Sequence, residues 1–445
     1  MSRSAPDADV PDPGADPAVR AALAELGCGS ADRLHIGGLP ARELLERFGS
    51  PLYAYDADVL RRRVAAVRAA LGPRVDLLYS IKANPCVAVT AALRAAGTGA
   101  EIASLGELEV ALAAGHDPAA LRFAGPAKTD AELDAALRRG LGCVHVEAPD
   151  EVAALATVAG RSGLRAGVAV RVNLAQEAQG ARMRMGGSGA RFGVDEGAVP
   201  AVLRAIAAAP ALELRGLHVY AGTQCFDAAA FAAAARALCE RAAGWERDLG
   251  VRLDELDLGG GFGVATYLGD PTFDLGAAGR AIQALVAEHD RPGRRWFVEL
   301  GRYLVAASGA YLTRVVRRKA NGGRVHLAID GGLHHCAVAA GSGSVLRRPP
   351  LLVAADRLRT TATEVVAVGG PLCTPLDQFA AAIALPPLAP GDALAVLAVG
   401  AYGQSYSPTG FLSHPAPAEV LVDAGRARVV RARGEPSDVL RGQHG

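Results

Sequence analysis

At 445 residues the chain is too long for one ordinary domain and fits two. Apolar residues make up 51%, enough for a large core, which excludes global disorder. A formal net charge of +1 argues against a nucleic-acid or anionic-membrane partner. The seven cysteines (Cys28, Cys86, Cys143, Cys225, Cys239, Cys336 and Cys373) are scattered and contain no Cys-x-x-Cys, a pattern that suits a reducing compartment and offers no zinc site. No apolar stretch is both long and charge-free enough to span a bilayer, and no basic region followed by an apolar core opens the chain. A cytoplasmic enzyme without membrane association is expected.

Residues 1–18 are rich in Asp, Pro and Ala without periodicity and read as a disordered leader. Residues 19–50 read as an N-terminal segment joining a C-terminal β domain. Over residues 51–308, short apolar strands alternate with Ala/Leu/Arg-rich helical runs. The predicted strands are Val75–Ile81, Gly99–Ala103, Leu121–Ala124, Cys143–Glu147, Gly167–Val172, Leu214–Tyr220, Glu255–Leu258 and Trp296–Leu300. Helical patterns such as Asp130–Arg139, Ala228–Leu249 and Ala277–Glu288 fall between them. Eight strands spaced by helices imply an α/β fold in which a parallel sheet closes into a (β/α)8 TIM-type barrel. A doubly wound open sheet is the competitor, but its Gly-x-Gly-x-x-Gly signature after the first strand is absent. Over residues 309–445 strand-like runs take over (Tyr311–Val316, Val325–Ile329, Thr363–Val368, Ala393–Val399, Glu419–Val422, Ala427–Arg431). With one short helix-like piece, Leu376–Ile383, they predict a second, all-β domain.

In such barrels reactive groups gather at the C-terminal ends of strands. Those ends here carry Lys82, Glu101, Glu147, Arg171 with Asn173, His218, the run Gly259-Gly260-Gly261, and Glu299. Lys82, in Tyr79-Ser80-Ile81-Lys82-Ala83-Asn84-Pro85, stands at the mouth of a strand, where desolvation lets an amine condense with a carbonyl. An ordinary surface lysine is the plain alternative. Three successive glycines can aim their amides at one anion, as phosphate nests do, or can be a flexible turn. In Glu299-Leu300-Gly301-Arg302, the arginine suits phosphate oxygens and the carboxylate could hold a pyridine nitrogen protonated; a structural ion pair is the alternative. His218 could lie flat against a planar cofactor or be a structural core histidine.

Tyr-Ser-Ile-Lys-Ala-Asn-Pro, His-x-x-x-Gly-Thr-Gln, Gly-Gly-Gly-Phe-Gly, Glu-x-Gly-Arg, Gly-Pro-Leu-Cys-x-x-x-Asp (Gly370–Asp377), and Gly-Ala-Tyr (Gly400–Tyr402) with Pro-Ala-Glu-Val (Pro417–Val420) together resemble the fold-type III pyridoxal-phosphate decarboxylases. That family includes the diaminopimelate and ornithine decarboxylases. The resemblance spans roughly residues 35–435 and implies an alanine-racemase-like two-domain plan, pyridoxal 5'-phosphate as cofactor, and a homodimer with active sites across its interface. It implies that Lys82 bears the cofactor and that Glu299 pairs with the pyridine nitrogen. Gly260, Gly261, Gly301, Arg302 and Tyr402, with Thr223, would hold the phosphate. His218 would stack on the ring, and Glu101 would support Lys82. Cys373 would reach the neighbouring subunit's site and protonate the product, and Asp377, on the same loop, is a candidate substrate residue, as is Thr374.

Two departures bear on substrate. An acidic residue that comes after the cysteine in the best-known relatives is Thr374 here. The segment after Asp330-Gly331-Gly332, which supplies an arginine in diaminopimelate decarboxylases, reads Leu333-His334-His335-Cys336-Ala337-Val338, with no arginine before Arg347. Leaving a buried ammonium unpaired costs several kcal/mol, so free ornithine, lysine and diaminopimelate are disfavoured. The same departures are similar to a subfamily found beside exosortase systems and to a carrier-protein-linked glutamyl decarboxylase. The expected substrate is an amino acid with an uncharged or conjugated far end, such as an aminoacyl group on an acyl carrier protein, with His334 and His335 as candidate lining residues. Decarboxylation of a free amino acid, racemisation and a non-catalytic cofactor carrier are the alternatives.

Overall fold

A computed structural model describes residues 10–174, 181–184, 187, 190–220, 222–341 and 348–444. The chain forms two compact units: Arg61–Gly263 with Phe273–Leu304, and Met1–Leu60 with Val264–Thr272 and Val305–Gly445.

In the first unit all eight predicted strands form. They are β1 (Val75–Ser80), β2 (Gly99–Ile102), β3 (Leu121–Phe123), β4 (Cys143–Val146), β5 (Ala166–Asn173), β6 (Leu212–His218), β7 (Glu255–Gly260) and β8 (Arg295–Leu300). Each pairs in parallel with the next, and β8 pairs with β1 through registers such as Leu300 with Tyr79, so the sheet closes into a barrel. Every residue of β5 is buried, the continuous run expected of a parallel strand covered on both faces. Several helices start where the sequence supplies acceptors. Thr129 and Glu132 form a capping box on helix Asp130–Arg138, and Asp227 caps Ala228–Leu249, which stops at Gly250 in the left-handed region. In β7 the register against β8 shifts between Asp257 and Gly260. A bulge of this kind bends a strand locally and re-aims the residues beyond it.

The second unit is built on a seven-strand path, in order Gln378–Leu385, Glu364–Gly369, Arg324–Ile329, Gly309–Asn321, Leu52–Asp56, Ala418–Asp423 and Arg426–Arg431. Ala393–Val396 joins it at Gly309–Asn321 and carries Leu352–Ala354. Three sequence expectations are corrected here. Leu376–Ile383 is not helical: Gln378–Leu385 pairs antiparallel with Glu364–Gly369, and that ladder outweighs the helical leaning of an alanine-rich segment. Leu52–Asp56, expected at the start of the barrel segment, is a fully buried central strand of this sheet, antiparallel to Gly309–Leu312 and parallel to Ala418–Val422. The chain therefore crosses to the barrel near residue 60, not residue 51. Residues 10–18 of the expected leader are structured. Asp16 caps helix Pro17–Glu25 and accepts from the Gly269 amide at 2.8 Å, and the Pro11 carbonyl accepts from the Ala384 amide at 2.9 Å. Residues 1–9 of that expected leader lie outside the described residues.

Asp377 joins two loops of this unit. Its Oδ1 accepts from the Leu333 amide at 2.6 Å and its Oδ2 from the Leu372 amide at 2.8 Å. Gly332 and Gly370 permit that approach, since a Cβ at either would collide with the carboxylate. The turn after Asp330 and the loop bearing Cys373 are thereby held as one body. Asp377→Ala removes the acceptor of both amides and is expected to cost roughly 2–4 kcal/mol. Urea unfolding of the cofactor-free protein, followed by circular dichroism, reads this; a loss below about 0.5 kcal/mol would contradict the clamp.

Candidate active site

β1 delivers Lys82 through a short 3-10 turn, Ile81–Ala83. The turn is fixed on both sides. The Tyr79 hydroxyl donates to the Asn84 carbonyl at 2.8 Å, and Asn84 Oδ1 accepts from the Cys86 amide at 3.1 Å, where helix Val87–Ala95 begins. Lys82 Nζ then meets both oxygens of Glu101, at 2.8 and 2.9 Å. Glu101 is 1% exposed, whereas the lysine side chain keeps 38% of its surface. A buried carboxylate thus anchors an amine that remains accessible. Glu107, close by, accepts from the Ala103 amide at 2.7 Å; burial first, and the charge of Glu101 after it, push its carboxyl up to about 7.

Farther in, the barrel interior is polar. Arg122 pairs with Glu255 at 3.1 Å under the Phe297 ring, and Arg171 pairs with Glu147 at 2.8 Å. Glu147 also accepts from the Gly125 and Gly193 amides, and Asn173 bridges Gly187 and Asp195, so these two strand-end residues tie loops together. His145, His218, Asp257 and Glu299 bring their polar atoms within 4.8 Å of one another, all buried. His218, expected to stack on the cofactor ring, is 1% exposed, and one face of its ring stacks on His145 with centroids 4.5 Å apart. Its Nε2 lies 3.2 Å from Glu299 Oε2, without hydrogen-bond alignment. Burial, with Arg171 next, lowers the His218 imidazole to about 3; burial, with His218 next, holds His145 well below its ordinary range. Both rings are neutral at pH 7. The aromatic face turned to the lysine is Tyr220, whose ring centre is 5.8 Å from Lys82 Nζ and 6.0 Å from Arg171 Cζ.

Gly259 (φ +67°) and Gly261 (φ +88°) adopt the left-handed region, and a Cβ on Gly259, Gly260 or Gly261 would strike the carbonyls of Val219, Glu299 or Gly222. The run is therefore bare backbone by steric necessity. Thr223 lies just beyond, in strand Gly222–Cys225. Gly301 leaves β8 in the tight space beside Ala83 and Ser80, and Arg302 opens the short helix Arg302–Val305. The residues present fit a lysine-bound aldehyde with an anionic arm. An accessible amine, a glycine cradle with an arginine beyond it, and a buried carboxylate whose Oε1 has no hydrogen-bond partner among the described residues share one barrel end.

The remaining expected residues belong to the other unit. Cys373 is exposed, with Leu376, 52% exposed, three residues on. Thr374 Oγ1 accepts from the Leu376 amide at 3.3 Å, and Asp377, expected near substrate, spends both oxygens on the loop clamp. Tyr402 sits at φ +53°, edge-on to Tyr406. His335 is committed to the Tyr311 hydroxyl and the Pro415 carbonyl. His334 is fully buried between His335 and His414 with neither ring nitrogen hydrogen-bonded among the described residues. Val338 turns its carbonyl to the Tyr267 hydroxyl. Arg347 lies outside the described residues. Sequence reasoning missed Tyr220, His145 and Asp257. Only Asp257 left a usable trace, as an acid inside an apolar strand two residues before the glycine run.

A family model described as "Pyridoxal-dependent decarboxylase, pyridoxal binding domain" matches residues 57–306. Among curated proteins, the chain is 33% identical over 404 residues to the L-glutamyl-[BtrI acyl-carrier protein] decarboxylase of Niallia circulans, covering 89% of this chain and 94% of the relative. It is 30% identical over 425 residues to the diaminopimelate decarboxylase of Bacillus subtilis, covering 92% and 94%. Among solved structures, the diaminopimelate decarboxylase of Helicobacter pylori complexed with L-lysine superposes with a TM-score of 0.81 at 27% identity, covering 90% of this chain and 98% of that one.

The two stacked imidazoles set a pH dependence. A histidine whose folded pKa lies below its unfolded value contributes stability that is present above pH 6.5 and lost as pH falls toward about 3. In cofactor-free protein, the stability difference between the parent and His218→Gln, a permanently neutral side chain, should therefore shift by several kcal/mol toward the variant between pH 7 and pH 4. Urea unfolding at the two pH values reads it; a pH-independent difference would contradict the neutral, buried assignment.

Proposed function

The chain belongs to the pyridoxal-dependent decarboxylases, and from that premise we propose that it removes the α-carboxylate of an amino acid whose far end is uncharged or conjugated, such as an aminoacyl group on an acyl carrier protein. Bound pyridoxal phosphate supplies an electron-withdrawing ring that accepts the electron pair left when the carboxylate departs as carbon dioxide. Lys82 would hold the cofactor covalently through Nζ, with Glu101 positioning that nitrogen and taking up its charge. Glu299 would keep a proton at the ring nitrogen, His218 would stack on the ring, and Tyr220 adds an aromatic face 5.8 Å from Lys82 Nζ. Gly260, Gly261, Gly301 and Arg302, with Thr223 and Tyr402, would hold the phosphate. A phosphate dianion is best met by fixed amide dipoles and a guanidinium that need no reorganisation.

Cys373 would deliver a proton to the α-carbon once the carboxylate has left. Its exposure, next to an exposed leucine on a loop clamped by Asp377, suits insertion into a neighbouring protomer, and a homodimer is the assembly we propose. A reducing, cytoplasmic setting suits the seven free thiols, and no helix among the described residues is long and apolar enough to cross a membrane.

The observation carrying the substrate assignment is the loss of both charged readers. Thr374 spends its hydroxyl on its own turn, and Val338 offers an aliphatic side chain. Neither can neutralise a distal ammonium or carboxylate, which leaves an ionised substrate end uncompensated. The likeness to a carrier-protein decarboxylase supports the same choice. Decarboxylation of free diaminopimelate, ornithine or lysine is the second reading, supported by the likeness to diaminopimelate decarboxylases.

Incubating the cofactor-loaded enzyme with matched free and carrier-bound amino acids, read by mass spectrometry for loss of carbon dioxide, separates the two. Turnover of a carrier-bound substrate alone is expected. Free diaminopimelate or ornithine consumed at kcat/KM of about 10⁴ M⁻¹s⁻¹ or more would contradict the proposal. Cys373→Ala should retain cofactor uptake and lose turnover by roughly 10²-fold or more, the usual worth of a positioned proton donor. Unchanged rate and product would remove the thiol from the mechanism.

A further inference from the structure

Tyr220 follows the end of β6 by two residues and turns its ring toward two cations of the barrel, Lys82 and Arg171. The chain that carries it is seated on the glycine run. The Val219 amide donates to the Asp257 carbonyl at 3.0 Å, and a Cβ on Gly259 would stand only 3.3 Å from the Tyr220 Cα. Beyond it, the Cys225 amide donates to the Gly261 carbonyl at 2.9 Å, and the Gly263 amide to the Cys225 carbonyl at 2.8 Å. Backbone contacts before and after Tyr220 therefore fix where its ring can lie. Its charged neighbours are fixed too. Glu101 holds Lys82 Nζ, 5.8 Å from the ring centre. Arg171, with Cζ 6.0 Å from that centre, donates to Glu147 at 2.8 Å and has the Phe192 ring 4.9 Å from its Cζ on another side.

Lys82 Nζ also marks where a substrate's amine would arrive. Both nitrogens join the same aldehyde carbon of a lysine-bound cofactor, one replacing the other. Apolar contact needs about 4 Å between heavy atoms. A ring centred 5.8 Å from the nitrogen is therefore met by atoms attached to the substrate's α-carbon. Of those groups, the carboxylate is ill matched to an aromatic face, which is the negative side of the ring quadrupole. An ammonium brought to the same face would stand beside the Arg171 guanidinium, a like charge. Glu147 is already committed to Arg171 and to the Gly125 and Gly193 amides. An uncharged carbon chain suits the wall and meets neither objection.

We infer that Tyr220 is a specificity-determining residue, the wall against which the uncharged carbon chain of the substrate packs beside its α-carbon. That role rests on the reading that Lys82 carries pyridoxal phosphate. It goes further by naming a barrel residue that selects for an uncharged substrate near the reacting atoms, whereas Thr374 and Val338 concern the far end.

The probes are L-norvaline and L-ornithine, which differ by one terminal amino group, and methylamine, which has no chain to reach the ring. Each is titrated into the protein loaded with pyridoxal phosphate, and replacement of Lys82 is followed by absorbance before turnover. The parent should bind norvaline more tightly than ornithine. Tyr220→Ala should weaken norvaline roughly tenfold, the worth of two or so buried methylenes, and leave methylamine within about threefold. Tyr220→Phe, which keeps the ring, should match the parent on both. Equal affinity of the parent for norvaline and ornithine overturns the proposal. So does an alanine variant that binds norvaline as the parent does, or loses both probes alike, or a phenylalanine variant as weak as alanine. A cofactor-free arm checks that the amine has not moved. Acetic anhydride should label Lys82 in Tyr220→Ala within about threefold of the parent rate, read by peptide mass, because Glu101 holds Nζ. A larger change would make Tyr220 a holder of the lysine and overturn the proposal. Should the alanine variant fail to fold, Tyr220→Gln takes its place with the same expectations. Protein that takes up no cofactor on Lys82 contradicts the underlying reading and this role with it, and shows so at the loading step, before any probe is added.

Discussion

The structure turns on the contact between Lys82 and Glu101. A bidentate pair at 2.8 and 2.9 Å places an accessible amine against a carboxylate withdrawn from water. An ion pair with one partner this exposed contributes little to stability. Its contribution is position: Nζ is held at one point on the rim. The turn that carries the lysine is rigid because Tyr79 and Asn84 bind it from both sides.

Below the rim, the barrel is filled with polar groups where many such barrels pack aliphatic layers. Arg122 with Glu255 and Arg171 with Glu147 are buried pairs, and the four-residue cluster around Glu299 joins them. Such groups are expensive to bury and are tolerated only when they satisfy one another. Glu299 lies buried among two neutral imidazoles and the Asp257 carboxyl, and the glycine run leaves no room for a side chain at Gly259, Gly260 or Gly261. A site whose charges are already oriented spends no free energy reorganising when charge develops.

Much of this was legible in the chain. Each of the eight barrel strands announced itself as a short apolar run ending in a polar or glycine residue, and the helices between them implied the parallel order. The strand-end placement of Lys82, Glu101 and the glycine run was readable because each follows a short apolar run. The stacking of His218 on His145 was not, since only the closed sheet brings the two strand ends together. Leu376–Ile383 misled because alanine carries no preference strong enough to resist a neighbouring strand. Leu52–Asp56 misled because a wholly apolar strand looks alike in either sheet. Asp377 was readable as important but not as a clamp: its two amide partners, Leu333 and Leu372, lie in separate loops.

Apart from Tyr402, the groups proposed to hold the cofactor lie on the barrel, and those proposed to read the substrate's far end, Thr374, Val338 and the buried histidines, lie on loops of the β domain. Reduction with borohydride after loading with pyridoxal phosphate, with peptide mapping of the product, tests the role of Lys82 most directly. One pyridoxyl group per chain is expected, on the peptide bearing Lys82; label on another lysine, or none retained after reduction, would contradict it.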